Sequence, residues 1–128
     1  LSYYKRYSDY IHNEEGISVN DLSPVQTAAL KELHQDSGHL AALANASRQK
    51  LLMILGQNPT VHGMKVNDLA EMIDLSQPAT SHHLKQLHEL GMVNSRQVGN
   101  IVYYYLTLDD TIARLERLTT LLEKRAAN

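Results

Sequence analysis

Between positions 66 and 106 the apolar residues change period. Val66, Leu69, Ala70 and Ile73 recur at i, i+3, i+4 and i+7, the spacing of a helix with one buried face. Asp74-Leu75 closes that segment. A second stripe, Thr80, Leu84 and Leu87, predicts a helix from Gln77 to Leu90 that stops at Gly91. The period then shortens. Met92–Arg96 and Ile101–Leu106 are β-rich runs separated by Gln97-Val98-Gly99-Asn100, whose Gly-Asn pair is a turn signal. Helix, tight turn, helix and two-stranded hairpin, in that order, are the plan of a winged helix-turn-helix. Such a module lays its second helix in the major groove of DNA.

The helix ends carry signals of their own. Asn67 is expected to cap the first helix, with Asp68 and Glu71 where the positive helix end favours carboxylates. Ser76 is expected to cap the second, and Pro78 fits because its missing N–H costs nothing in a first turn. On a helical wheel His82, Lys85, Gln86 and Glu89 face away from the apolar stripe, Ser81 lies on the shoulder, and Gln77 sits at the exposed N-terminal end.

A solvated polar face is the ordinary fate of such residues. The hairpin that follows at once is what favours DNA. Gln can pair with adenine, Lys with guanine or phosphate, and Ser and His with several acceptors. The candidate DNA contacts on this helix are therefore Ser76, Gln77, Ser81, His82, Lys85 and Gln86. Arg96 and Asn100 flank the hairpin tip, placed to touch backbone phosphate or the minor groove. Of the tyrosines at 103, 104 and 105, some must pack on the helices, which is the ordinary role for an aromatic side chain here.

Upstream, Ser23 and Pro24 read as the cap and first residue of a helix over 24–36 that presents Val25, Ala28, Ala29 and Leu33. Asp36-Ser37-Gly38 breaks it. His39–Ala46 is a second apolar segment, and Ser47–Gly56 is apolar nearly all round, the pattern of a central core helix that Asn58-Pro59 ends. Residues 1–22 form an extension outside this plan, with Tyr3, Tyr4, Tyr7, Tyr10 and Ile11 at helical spacing. The remainder, 23–128, reads as one winged helix-turn-helix domain with flanking dimerisation helices. The last helix, Asp109–Arg125, places acids at its start and Lys124-Arg125 at its end, both matched to the helix dipole.

The run LSQPATSHHLKQLHELGMVNSRQVGNIVYYYL, with Ala44–Leu55 upstream, closely resembles the ArsR/SmtB-type winged-helix transcriptional repressors. The resemblance covers residues 44 to 125. It implies a mainly α fold with a small β-hairpin and a homodimer. It also implies an inverted-repeat operator in double-stranded DNA, released when an inducer arrives. That inducer is often, though not always, a metal ion. The terminal stripe Ile112, Leu115, Leu118 and Leu122, with Leu121 beside it, is then most economically a dimer seam. Packing onto the same chain is the alternative, and both can hold.

The absence of cysteine bears on the inducer. The family's thiolate site would need Cys near 64, 66 and 70, where this chain has Met64, Val66 and Ala70. Its second kind of site, on the C-terminal helices, would find Asp109 and Asp110. Farther along, Leu121, Leu122 and Lys124 stand beside a lone Glu123. None of the seven histidines forms an H-x-x-x-H pair, and neighbours such as His82 and His83 point about 100° apart. No metal site and no cofactor are expected. An unorthodox site among His12, His34, Asp36 and His39 is the competing expectation.

Composition sets the remaining bounds. The chain has 128 residues, 43% of them apolar, enough for one core. It carries no membrane-length apolar run and no signal-peptide pattern, so a cytoplasmic location without membrane attachment is expected. No nucleophile–base pair, phosphate loop or carboxylate dyad suggests an enzyme. The formal net charge is −2. Residues 62–106 hold three cations against four carboxylates, so DNA affinity must come from local placement of Lys85, Arg96, the helix start at Ser76-Gln77, and Arg48 and Lys50. The rival from another class is a winged-helix protein-interaction module, whose acidity would reflect absent DNA readout.

Overall fold

A computed structural model describes residues 18–57 and 62–124. The expected tyrosine-bearing helix near the N-terminus, His12, the Asn58-Pro59 helix stop and Arg125 lie outside the described residues. After a single 3-10 turn at Val19–Asp21 come α1 (Pro24–Gln35), α2 (Ser37–Leu43) and α3 (Ala46–Gln57). Then follow β1 (Met64–Lys65), α4 (Val66–Ile73), α5 (Gln77–Glu89), β2 (Val93–Val98), β3 (Ile101–Leu106) and α6 (Asp109–Lys124). No helix among the described residues is long and apolar enough to cross a membrane.

The chain divides into two compact units. Gly38–Ala113 form one; among the described residues, 18–37 and 114–124 form the other. The first of these holds the core. Leu51, Leu52 and Leu55 of α3, Leu69 and Ile73 of α4, Leu84 and Leu87 of α5, and Met92 and Val93 at the start of β2 are buried together with Ala42. Tyr104, Leu106 and Leu108 pack against this cluster, so one tyrosine of the β3 run is used for packing, as expected. The three core helices contribute the positions that their sequence periods predict for α4 and α5.

For α3 the pattern misleads. Met53 is 64% exposed and Ile54 only half-buried, so the helix is one-sided rather than buried all round. Its start also differs. Asn45, not Ser47, marks the boundary: the Asn45 Oδ1 accepts from the Arg48 backbone N–H at 3.0 Å, satisfying a donor that the first helical turn leaves free. The apolar segment expected at 39–46 is the short helix α2, which buries His39 and Ala42.

The sheet has one more strand than the expected hairpin. β1 adds to β3 in the antiparallel order β1-β3-β2, pairing Met64 with Tyr104 and Lys65 with Tyr103. This strand displaces the predicted cap. Because residues 64 and 65 are held in the ladder, α4 begins directly at Val66. Its cap position is Lys65, which makes no side-chain cap bond, and Asn67 lies inside the helix. Gly63 precedes β1 at φ +82°, and any Cβ there would collide with the Tyr104 carbonyl oxygen. Only glycine lets the chain approach β3 this closely.

The second unit pairs charges on α1 and the later part of α6. Arg114 Nη1 donates to Asp36 Oδ1 at 2.8 Å, with Asp36 fully buried, and Arg117 lies 3.5 Å from Glu32. A hydrogen bond with Asp36, burial and the Asp36 charge together push the Glu32 carboxyl above the usual carboxylate range, and Arg117 opposes them. Ser23 and Gln26 form a reciprocal capping box at the start of α1, with Pro24 in the first turn. The sequence reading of Ser23 and Pro24 holds, whereas Ala28 is exposed and the buried positions are Ala29 and Glu32.

Candidate nucleic-acid interface

The α4–turn–α5 segment is built from local chemistry. Asp74 ends α4 in the left-handed conformation at φ 58°, which aspartate tolerates better than most residues. Ser76 then caps α5, its Oγ accepting from the Ala79 N–H at 3.2 Å, with Pro78 in the first turn. Thr80, Leu84 and Leu87 are buried, as their spacing predicts. The one polar member, Thr80, is satisfied because its hydroxyl donates to the Ser76 carbonyl at 2.9 Å. Gly91 closes the helix at φ +74°, and Met92 goes straight into the core.

With its apolar stripe spent inside, α5 turns a polar face outward. Ser76, Gln77, Ser81, His82, Lys85 and Glu89 are all exposed. Gln86 departs from the expected outward set. It is half-buried, and its Oε1 accepts from Arg48 Nη2 of α3 at 2.6 Å. One turn earlier His83 is also half-buried. Burial, with the charges of Arg48 and His82 adding to it, holds the His83 imidazole below the ordinary histidine range.

The wing extends farther than the β-rich runs suggested. β2 and β3 pair from Val93↔Leu106 to Val98↔Ile101, leaving only Gly99-Asn100 as the turn. Gly99 takes φ +62°. Gln97 and Val98 therefore belong to the strand and not to the loop, and Asn100 sits exposed at the tip. Arg96 lies within β2 opposite Tyr103, exposed, with its Nη2 2.7 Å from His62 Nδ1. That pairing requires an unprotonated His62 Nδ1, since a guanidinium only donates.

The structure thus leaves Ser76, Gln77, Ser81, His82 and Lys85 exposed along α5 and its N-cap, and Arg96 and Asn100 exposed on the wing. Sequence reasoning missed the Arg48–Gln86 and His62–Arg96 contacts. Each joins residues more than thirty positions apart, and no helical or strand period reports such pairs.

The other expected chemistry is distributed differently. His39 Nδ1 lies 2.9 Å from the Thr111 hydroxyl, both buried, and Asp36 is bound by Arg114. On α6, Ile112 is 49% and Leu122 40% exposed. Leu115 and Leu121 are half-buried, and Leu118 is 7% exposed within the single chain. Leu118 therefore packs in its own chain, whatever else the stripe does.

Comparison with known proteins accords with this geometry. A family model described as "Bacterial regulatory protein, arsR family" matches residues 45–95. The chain is 37% identical over 70 residues to the cadmium resistance transcriptional regulatory protein CadC of Listeria innocua. That match covers 55% of this chain and 56% of CadC, so the chain spans little more than half of that relative's length. It is 33% identical over 93 residues to the transcriptional activator HlyU of Vibrio cholerae, covering 70% of this chain and 82% of HlyU. Among solved structures, it is similar to the homodimeric winged helix-turn-helix DNA-binding domain of a possible ArsR-family transcriptional regulator from Mycobacterium bovis. The TM-score is 0.53 at 25% identity, over 81% of this chain and 89% of that one.

Proposed function

The chain belongs to the ArsR family of bacterial regulatory proteins, and from that premise we propose that it is a sequence-specific DNA-binding transcriptional regulator, acting as a homodimeric repressor on an inverted-repeat operator. The observation that carries this reading is α5. Its apolar residues Leu84 and Leu87 are consumed by the chain's own core, while Gln77, Ser81, His82 and Lys85 stand exposed along it and the wing that follows carries the exposed Arg96 and Asn100. A helix with that division of labour has its hydrogen-bonding groups ready for base edges and phosphates. Selection of duplexes from a randomised pool tests it. The expected outcome is enrichment of an inverted repeat with two half-sites, because two linked heads read two half-sites. A pool that stays random would refute the reading.

Dimerisation is assigned to α6. The exposed Ile112 and Leu122, with the half-buried Leu115, are apolar residues of α6 that a second copy would cover, whereas Leu118 is already buried. The homodimeric state of the similar Mycobacterium bovis domain supports this assignment.

We further propose that the signal is not one of the family's usual metals. The chain has no cysteine, and Met64, Val66 and Ala70 supply no thiolate. Two of the residues considered for an unorthodox site are committed elsewhere, Asp36 to Arg114 and His39 to Thr111. A metal-responsive repressor is the second reading, favoured by the similarity to a cadmium resistance regulator.

A further inference from the structure

Beneath the outward face of α5, one contact fixes the chemistry that face can offer. Arg48 reaches from the first turn of α3, where Asn45 caps the helix, and its Nη2 lies 2.6 Å from Gln86 Oε1. The length is that of a charge-assisted hydrogen bond. A guanidinium has five N–H donors and no acceptor. The atom of Gln86 that meets it must therefore be the carbonyl oxygen, which removes the usual ambiguity between the two ends of a glutamine amide.

The consequence concerns DNA. A glutamine that reads adenine bidentately uses both ends of its amide, accepting from N6–H and donating to N7. With one lone pair of Oε1 engaged by Arg48, the Gln86 amide is held in one orientation and its two Nε2 donors are not used by that contact. It is also half-buried, unlike the exposed Gln77, Ser81, His82 and Lys85 of the same helix. Resting on the DNA-binding reading above, we propose that Arg48 is a positioning residue that fixes the orientation of the Gln86 amide, so that the half-buried Gln86 gives its Nε2 donors to a backbone phosphate oxygen and sets the seating of α5 without reading a base. Arg48 itself acts through Gln86 and does not touch DNA. Its partly buried location fits that role: its Nε has no hydrogen-bond partner and almost no solvent access. Such a group is held under the helix and does not reach out as a flexible phosphate contact.

His83 gives the arrangement an independent readout. It lies three residues before Gln86 on the same flank of α5, and the Arg48 charge contributes to keeping its imidazole neutral. Removing that charge should raise the His83 titration midpoint. A variant that leaves Arg48 in place but cuts the bond to Gln86 should leave the charge acting on His83.

The test combines a double-mutant cycle on DNA with a titration of His83 by nuclear magnetic resonance. The probes are labelled duplexes selected from a randomised pool by the wild-type protein, and an unselected duplex of equal length. Arg48→Met and Gln86→Leu should each weaken both probes by about tenfold, the scale of one charge-assisted bond. The double variant should lose no more than the worse single one. Arg48→Lys, which keeps the charge and one donor, should recover part of the loss and keep the His83 midpoint low. Arg48→Met should raise that midpoint, and Gln86→Leu should not.

Losses that multiply in the double variant would mean that Arg48 contacts DNA on its own, overturning the positioning role. A loss at Gln86→Leu confined to the selected duplex would overturn the phosphate assignment in favour of base reading. Single variants that bind both probes like wild type would overturn the proposal altogether. If the wild-type protein enriches no duplex at all, the DNA-binding reading fails first. The His83 shifts would then still report whether Arg48 and α5 are coupled as described.

Discussion

Helices α5 and α6 both carry an apolar stripe, yet the fold treats the two differently. In α5 the stripe is spent: Thr80, Leu84 and Leu87 are buried in the chain's own core, and what remains outside is polar. In the α6 stripe Leu118 is buried, while Ile112 and Leu122 stay 49% and 40% exposed. A helix whose apolar face is satisfied offers hydrogen bonds to whatever lies in front of it. One whose apolar face is half-satisfied asks for more apolar surface. The difference teaches that similar stripes in the sequence can serve different partners. The partner we propose for α5 is a polar polyanion, and for α6 a second copy of the chain.

That contrast breaks most visibly at α6. The double substitution Ile112→Glu with Leu122→Glu places carboxylates in the proposed seam, where burying unpaired charge costs several kcal/mol, about enough to dissolve a modest dimer. Sedimentation should show a folded monomer, and affinity for the selected duplex should fall by about a hundredfold as the linkage between two half-sites is lost. Leu118 is the wrong site for this experiment, because its burial in the single chain would confound folding with assembly. A double variant that remains dimeric would move the seam off α6.

On α5, Gln77→Ala and His82→Ala should each cost about 1–3 kcal/mol on the selected duplex wherever the side chain makes a good base contact. Both residues are exposed, so thermal unfolding followed by circular dichroism should be unchanged. Wild-type affinity in both variants would leave α5 without a reading role. The wing should contribute less, and without sequence preference. Arg96→Ala should weaken all duplexes alike and lower the salt slope by about one per protomer. Loss on a single sequence would instead indicate base readout by the wing. The smallest expected effect is that of metal. Zinc, cadmium or arsenite at micromolar free concentration should change operator affinity less than about threefold, a coupling below roughly 0.7 kcal/mol. Release of tenfold or more by any of them would restore the metal-responsive reading.

How much of this was legible in the sequence differs between the two helices for the same physical reason. Where burial is settled locally, as for Leu69, Ile73, Leu84 and Leu87, period alone found it, and Ser76 and Ser23 announced their helix starts. Where a long-range contact decided the outcome, period failed. Pairing of Met64-Lys65 with β3 shifted the α4 start from Asn67 to Val66 and added a third strand. In α3, the run Leu51–Leu55 contains too many apolar residues for one face to hide, and Met53 was left outside. The exposed set Gln77, Ser81, His82 and Lys85 was readable because it is the complement of a clear stripe. Gln86 belonged to that complement on a helical wheel, but Arg48, thirty-eight positions earlier, claimed it. On α6 the stripe itself was plain, whereas its division into buried Leu118 and exposed Ile112 and Leu122 depends on neighbours that sequence spacing does not name.

The central claim is that the outward face of α5 meets DNA, and perturbation mapping tests it most directly. Selected duplex is titrated into isotope-labelled protein, and backbone and side-chain resonances are followed. The account predicts the largest changes at Gln77, Ser81, His82 and Lys85, accompanying changes at Arg96 and Asn100 on the wing, and silence at the exposed Met53 of α3 and Met72 of α4. Binding that perturbs the Met53–Met72 side while the α5 face stays unchanged would contradict it.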